Sequence, residues 1–360
     1  MKAVMLILTE NCNLACKYCY EYNNEHTMSF DTAKMIVDSE MRNERKEQFK
    51  IFFFGGEPFV NFDVLKQVYE YTETRYSGRV EKYALTTNGT LVHDHIQTWM
   101  YENRKRFEIT LSLDGTQEMH DRNRITKQGK GSFDMVDLQF FSDTWSDCIV
   151  KMTISPDTVF DFAEGIIFIV ESGFKCKVNF ASGVDFKLRE NKNIILQNFT
   201  KLIDYYSKND KSLCYMLDLP LKAVLVPIDH KFRYCDAGVE RHCYSCENDG
   251  WYPCQGLMPM SVEGRKTIFK SETFGESNIL QHSECSKCKM VRICRTCYAM
   301  NYHATNNIYQ PDQQMCILNQ LCMISSARIQ YNRLKKNRVL DSELERAVYM
   351  IATELNHIVE

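Results

Sequence analysis

Sixteen cysteines in 360 residues fall into two dense fields, and this placement constrains the fold more than any other feature. Three lie between Cys12 and Cys19 and eight between Cys235 and Cys297, with Cys316 and Cys322 just beyond. The six-residue apolar run Ala3–Leu8 is too short for a signal-peptide core, and no small-residue cleavage site follows it. No apolar run approaches the roughly 18 residues that cross a bilayer. The chain is therefore expected to be cytosolic, where thiols stay reduced and dense cysteine clusters act as metal ligands or catalysts. A formal charge of −3 and a pI near 6.3 leave no nucleic-acid footprint.

Hydrophobic periodicity sets the frame around these fields. Ala3–Leu8 reads as a strand buried on both faces, and Ala33, Ile36, Val37 and Met41 as the apolar face of a helix. Ile51–Phe54, Tyr83–Thr87, Phe107–Leu113, Ile149–Ile154 and Lys175–Ala181 repeat the strand signal, each followed by helical spacing. Six such units predict an α/β fold, a partial (β/α)6 barrel with an open mouth. Four polar segments, three of them glycine-bearing, sit at strand ends: Thr9–Tyr20, Gly55–Pro58, Asn88–Thr90 and Asp114–Gly115. Ligands bind at the carboxyl ends of parallel strands, so all four are expected at that mouth. The rhythm stops near Ser212. The cysteine-rich stretch beyond it has few long apolar runs and is expected to need metal to fold. Ile317–Leu334 and Asp341–Val359 read as helices.

Cys12-x3-Cys16-x2-Cys19 follows the first strand. Three thiolates can hold three irons of a 4Fe–4S cluster and leave the fourth open to a small ligand. Neither zinc nor ferredoxin spacing fits this loop well. With Tyr18 before the last cysteine, it resembles the radical S-adenosylmethionine (SAM) enzymes. In that resemblance Gly55, Gly56 and Glu57 receive the amino group of SAM. Asn88, Ser112 and Asp114 contact its ribose and carboxylate, and Arg124 clamps the carboxylate. For Arg124 a solvated surface position is the alternative. The resemblance implies reductive cleavage of SAM to a 5′-deoxyadenosyl radical, with the hard chemistry carried by the cofactor.

Cys285-x2-Cys288-x5-Cys294-x2-Cys297 alone would suggest zinc. Beside the first motif, and with Cys235 and Gly250–Cys254 upstream, it resembles the SPASM extension of radical SAM enzymes. The resemblance implies two auxiliary 4Fe–4S clusters, so three in all. One is expected on Cys235, Cys243, Cys254 and Cys297, the other on Cys285, Cys288, Cys294 and Cys316. Cys246 competes with Cys243 for one place. Two spacings depart from the usual pattern: Gly250 to Cys254 and Cys294 to Cys297 are each one residue short. Cys148, Cys176, Cys214 and Cys322 read as buried structural residues. The implied domains are a radical SAM barrel over 1–211, a SPASM domain over 212–325 and a helical tail over 326–360.

SPASM enzymes act largely on peptides. Peptide maturases that form thioether or carbon–carbon crosslinks, anaerobic sulfatase-maturing enzymes and small-molecule dehydrogenases all fit the resemblance. So does a non-catalytic electron carrier, although the SAM-contacting segments argue against it. Gln255 stands where sulfatase-maturing enzymes carry an aspartate, and a carboxamide cannot serve as a general base. Phe54 stands where they tend to carry Gln. Both departures favour a ribosomal-peptide maturase, whose substrates in the resembling short maturases carry repeated cysteines. The implied partners are the peptide and a low-potential electron donor such as flavodoxin or ferredoxin, with no membrane. Strand one opens the chain, so leader recognition is expected from a separate protein or from the auxiliary-cluster region. The sequence names no catalytic base.

Overall fold

A computed structural model describes residues 2–43, 48–227, 233–262, 264 and 284–359. The strand–helix alternation runs through β1 (Lys2–Thr9), α1 (Phe30–Asn43), β2 (Phe49–Gly55), α2 (Phe62–Arg75), β3 (Val80–Thr87), α3 (Asp94–Asn103) and β4 (Phe107–Ser112). It continues through the short helices α4 (Gln117–Asn123) and α5 (Leu138–Thr144), then β5 (Ile149–Ile154), α6 (Phe162–Glu171), β6 (Lys175–Phe180) and α7 (Leu188–Lys208). Beyond these lie β7 (Arg241–Tyr244), β8 (Trp251–Tyr252), α8 (Tyr298–Thr305), α9 (Gln313–Asn337) and α10 (Ser342–Val359). The chain divides into two compact units. The first takes Met1–Leu113, His120–Val150 and Asp236–Ser277; the second takes Asp114–Met119, Lys151–Cys235 and Asn278–Glu360. No helix among the described residues is long and apolar enough to cross a membrane.

In the first unit the sheet runs in the order β4-β3-β2-β1-β7-β8. β1 pairs in parallel with both β2 and β7, and β2–β3 and β3–β4 are parallel too. A strand with neighbours on both sides and cover on both faces must be apolar throughout, and β1 is buried from Val4 to Thr9. β2 instead alternates, with Phe49, Ile51 and Phe53 buried. Phe53 stacks on Tyr83 at 6.0 Å, and Tyr69 of α2 meets the Tyr83 ring edge-on at 4.9 Å. This aromatic layer fixes α2 on the sheet. β7 and β8 are absent from the sequence reading, because four and two residues are too few to show a period.

The second unit holds β6 beside β5, with α6 and α7, and an apolar core of its own. Leu219, Leu221, Met290 and Ile293 pack there with Met323 and Ile324 of α9 and with Ala347, Ile351 and Leu355 of α10. The cysteine-rich stretch, expected to need metal to fold, thus contributes two apolar residues to a core built by its neighbours. Met290 and Ile293 sit among its cysteines and are 2% exposed, and the apolar face they need comes from helices later in the chain.

A buried carboxylate ties β7 to the first unit. Glu40 of α1 pairs with Lys2 Nζ at 2.9 Å, and its Oε1 accepts from His242 Nδ1 at 2.7 Å and from Tyr244 OH at 2.5 Å. Trp251 of β8 stacks on the His242 ring at 3.9 Å. Burial would raise the Glu40 carboxyl, but the bonds from His242, Tyr244 and Lys2 outweigh it and hold it down to about 2. A depressed carboxylate stabilises the fold above its unfolded value and loses that contribution as the pH falls through the folded one. Glu40→Gln is therefore expected to cost about 3 kcal/mol at neutral pH. In anaerobic urea titrations its deficit against wild type should shrink as the pH falls from the ordinary glutamate value of 4.5 toward 2. A deficit independent of pH would contradict this account.

Candidate active site

The loop after β1 is built by backbone crossing backbone. Gly56 N donates to Thr9 O at 2.9 Å, and Glu57 N donates to Asn11 O at 3.0 Å. A Cβ on Gly55, whose φ is +139°, would lie 2.1 Å from Thr9 O; one on Gly56 would lie 2.4 Å from Asn11 O. No side chain fits at either position. The glycine pair thus lets the end of β2 run against the cysteine loop, a constraint that exists before any ligand is considered. From the other side, Ala15 N donates to Ile125 O at 2.8 Å and Lys17 N to Asn123 O at 3.0 Å. Leu14, at 1% exposure, anchors the loop between its first two cysteines.

Cys12 and Cys16 are half-buried and Cys19 is exposed. Asn88 Nδ2 points at Cys12 Sγ from 3.8 Å and also donates to Asn13 Oδ1 at 2.9 Å. Asn13 in turn donates to Thr90 Oγ1 at 2.8 Å. Burial and the charge of Glu57, with Cys16 and Cys19 adding, push the Cys12 thiol up to about 12. The three thiols are therefore within electrostatic reach of one another, on one short loop. Among the described residues no three Cys, His, Asp or Glu side chains close around a point as a single metal ion requires. A 4Fe–4S cluster asks for something wider, because each thiolate meets a different iron. Three cysteine thiols on one loop are donors such a cluster can use.

Glu57 is 1% exposed. Its Oε1 accepts from Phe59 N at 3.2 Å and Thr87 Oγ1 at 2.8 Å, and its Oε2 from Asn88 N at 2.7 Å. The carboxylate thereby ties the end of β2 to the end of β3. Burial pushes it up to about 7, against the bonds from Asn88, Thr87 and Phe59 and the charge of Arg124. A carboxylate has about four acceptor sites, and these bonds use three. Arg124 is 7% exposed, with its guanidinium 5.5 Å from the Tyr18 ring centre, so it is no solvated surface arginine. Its carbonyl accepts from Ser132 Oγ at 2.7 Å. That hydroxyl's proton is then committed, so His120 Nε2, 3.0 Å away, donates to it. Burial and the Arg124 charge hold His120 down to about 3, which keeps it neutral.

Asn88 and Ser112 are buried at the ends of β3 and β4 in this unit. Asp114 belongs to the second unit, where its Oδ1 accepts from Thr153 N at 2.9 Å. The sequence reading put Asn11, Asn13 and Thr90 at the mouth without giving them roles, and it missed the bonds of Thr87 and Lys127. Lys127 Nζ reaches Asn11 Oδ1 at 3.0 Å. Their signal was the run of short polar residues flanking the motifs.

In the second unit, Cys285, Cys288, Cys294 and Cys316 are all half-buried. Cys288 N donates to Cys285 O at 3.1 Å, and Cys316 N to Asp312 O in the first turn of α9 at 2.9 Å. Burial pushes the Cys294 thiol up to about 12, with Cys285, Cys316 and Cys288 adding to the rise. Those four thiols are thus neighbours. Cys235 and Cys297 both act on the buried Tyr298 hydroxyl of the same unit. Cys243 and Cys254 lie in the first unit. Cys243 Sγ is 3.7 Å from Met5 Sδ, Cys246 Sγ donates to Ile7 O at 3.2 Å, and Cys254 Sγ faces Gln255 Oε1 at 3.5 Å.

Comparison with known proteins agrees with this loop. Residues 6–138 match the radical SAM superfamily. They are a radical SAM domain. An uncharacterized protein of Methanocaldococcus jannaschii is 38% identical over 133 residues, 37% of this chain and 45% of that protein. A cysteine-type anaerobic sulfatase-maturating enzyme of Clostridium novyi is 30% identical over 148 residues, 38% of this chain and 39% of that enzyme. The chain thus spans less than half the length of these relatives. The radical SAM cyclopropyl synthase TigE of Paramaledivibacter caminithermalis is 20% identical over 361 residues, 89% of this chain and 73% of that enzyme. Among solved structures, native anSMEcpe with bound AdoMet and the Cp18Cys peptide has a TM-score of 0.68 at 17% identity, covering 99% of each chain. Streptococcus suis SuiB bound to precursor peptide SuiA has a TM-score of 0.56 at 12% identity, covering 87% of this chain and 75% of that one. At these identities the structures show a shared fold. The radical SAM family binds SAM and a 4Fe–4S cluster.

Cys16→Ala should abolish 5′-deoxyadenosine formation from SAM under dithionite. Cys148→Ala should retain it, since Cys148 is buried away from the loop beside β5. Chromatography of the anaerobic reaction reads both, and a normal yield from Cys16→Ala would sink the ligand assignment.

Proposed function

We propose that this chain is a radical SAM peptide maturase that abstracts hydrogen from a ribosomally made peptide and leaves a thioether or carbon–carbon crosslink. Cys12, Cys16 and Cys19 would hold the SAM-binding cluster. The Gly55–Gly56 backbone and the remaining acceptor site of Glu57 would take the amino group of SAM. Asn88 and Ser112 would orient its ribose, while Arg124, buried beside Tyr18, would hold its carboxylate. The bound group supplies a 5′-deoxyadenosyl radical able to take hydrogen from an unactivated carbon; the protein orients it and excludes water. A sulfatase-maturating relative and structural neighbours solved with a bound peptide support a peptide as the substrate class.

The single observation that favours crosslinking over formylglycine formation is Gln255. It follows Cys254, and its carbonyl oxygen faces the Cys254 thiol. A carboxamide offers no proton acceptor of useful basicity there. Sulfatase maturation stays the second reading, on the strength of the fold shared with anSMEcpe. Incubating the reconstituted enzyme with SAM, dithionite and a cysteine-containing peptide separates them by mass spectrometry. A thioether consumes the thiol with loss of two hydrogens, whereas formylglycine leaves an aldehyde that a hydrazide captures. Aldehyde as the main product would overturn the maturase reading.

Two auxiliary clusters complete the proposal. Cys285, Cys288, Cys294 and Cys316 would hold one. Cys235, Cys254 and Cys297, with Cys243 or Cys246, would hold the other. With the SAM cluster this gives about twelve irons per chain, four for each cysteine-ligated cluster. An anaerobically reconstituted sample that saturates near four irons, with zinc in the remainder, would remove the auxiliary clusters.

A further inference from the structure

Between the cysteine loop and the end of β3 lies a closed ring of three short polar side chains, Asn13, Asn88 and Thr90. Asn88 and Thr90 are buried, and Asn13 is half-buried. The donors and acceptors of the ring follow from one fixed group, the backbone N–H of Thr90. That group only donates, and it meets Asn88 Oδ1 at 3.0 Å in a turn over Gly89. The atom it meets must be the carboxamide oxygen, which places Nδ2 on the other side. Thr90 Oγ1 donates its single proton to the same oxygen at 2.7 Å. The hydroxyl is then left as an acceptor, and Asn13 Nδ2 donates to it at 2.8 Å. Asn13 Oδ1 in turn accepts from Asn88 Nδ2 at 2.9 Å and closes the ring.

The ring fixes the direction of one further N–H. Asn88 Nδ2 carries two hydrogens, of which Asn13 takes one. The nitrogen stands 3.8 Å from Cys12 Sγ, within reach of an N–H···S bond. Leu14 N donates to the same sulfur at 3.4 Å. Two N–H groups thus converge on Cys12, one from the main chain and one from a side chain. That side chain cannot rotate without breaking its bonds to Asn13 and Thr90. Its backbone is held as well, because Asn88 N donates to Glu57 Oε2 at 2.7 Å. Hydrogen bonds to the sulfurs are among the factors that set the reduction potential of an iron–sulfur cluster. The reduced cluster carries one more negative charge, so it gains more from an N–H donor than the oxidised one does.

We propose that Asn88 tunes the SAM-binding cluster: its N–H, aimed by Asn13 and Thr90, bonds to the Cys12 sulfur and raises the cluster's reduction potential. The single electron from the low-potential donor then enters more readily. Asn13 and Thr90 are positioning residues that act through Asn88. This role rests on the assignment of that cluster to Cys12, Cys16 and Cys19, and the peptide substrate plays no part in it. It leaves the ribose contact proposed above to Ser112, since both lone pairs of Asn88 Oδ1 and both hydrogens of Nδ2 are in use.

The test is a redox titration of the anaerobically reconstituted enzyme, read by electron paramagnetic resonance. Adding SAM to a parallel sample identifies the SAM-binding cluster as the signal that shifts; the titration itself is run without SAM. Asn88→Asp keeps an acceptor for Thr90 N and replaces the two N–H hydrogens with a charged oxygen. At the wild-type midpoint its ratio of reduced to oxidised cluster should fall about tenfold. Thr90→Val releases the Asn88 carboxamide and should lower the ratio about threefold. Thr90→Ser keeps the hydroxyl and should match wild type. Iron content and the remaining signals should stay unchanged in all three. Wild-type potentials in both Asn88→Asp and Thr90→Val would overturn the proposal. So would a change confined to SAM affinity in equilibrium dialysis, which is what a ribose contact predicts. A wild-type sample in which no signal shifts with SAM would strike the cluster assignment itself, and this role with it.

Discussion

The contact on which the rest depends is the crossing of two backbones at Gly55–Gly56 and Thr9–Asn11. A cysteine loop must present three thiols in a fixed arrangement, yet loops are the least constrained parts of a fold. Here the loop is fixed by main-chain bonds: Gly56 and Glu57 on one side, Asn123 and Ile125 on the other. Main-chain bonds of this kind need no matching side chain, but they need a close approach. The close approach is what excludes a Cβ at both glycines. Glu57 then turns inward and gathers the amide and hydroxyl at the end of β3, so neighbouring strand ends share one carboxylate. The motif is thus a structural joint as well as the proposed SAM-facing surface, and the two roles fall on different atoms of the same four residues.

The six strand–helix units were legible because each carries its period within a dozen residues. β1 shows a continuous apolar run and α1 a one-sided face, and no distant partner is needed to see either. The cysteine motif was legible because its spacing is local. β7 and β8 were not, since β7 becomes a strand by pairing with β1, more than 200 positions away in the chain. The core of the second unit was missed for a similar reason. Met290 and Ile293 belong to an apolar run too short to show a period, and only α9 and α10 reveal the surface they share with Leu219. Glu57 was legible by type but not by duty: a carboxylate beside two glycines looks ligand-facing until the donors at Thr87 and Asn88 are in view.

The apolar core also changes what the auxiliary cysteines contribute. A metal domain without a core gains its folding energy from ligation. Here Cys288 and Cys294 pack against the core that holds Met290, Ile293 and Ile324. Burial pushes the Cys294 thiol up, so without a metal the site holds protons where a cluster would hold thiolates. Iron bound there would work against a cost offset partly by apolar packing, and its removal would loosen the ligand turns sooner than the α9–α10 pair.

The competition between Cys243 and Cys246 turns on strand geometry. Successive side chains of a strand point to opposite faces. His242 and Tyr244 both reach Glu40 on α1, so Cys243 between them faces the other side of the sheet. There it lies opposite its pairing partner Met5, at 0% exposure, in the middle of a parallel ladder. A ligand drawn from that position would have to bring its cluster onto the covered face of β1. Cys246 lies past the end of β7, beside the carbonyl of Ile7 near the end of β1, where the backbone is free of the ladder's alternation. Thiol bonds to the carbonyls of Ile7 and His26 are weaker than the packing that holds Cys243. Of the two, Cys246 can therefore turn toward a cluster with less disturbance to the sheet.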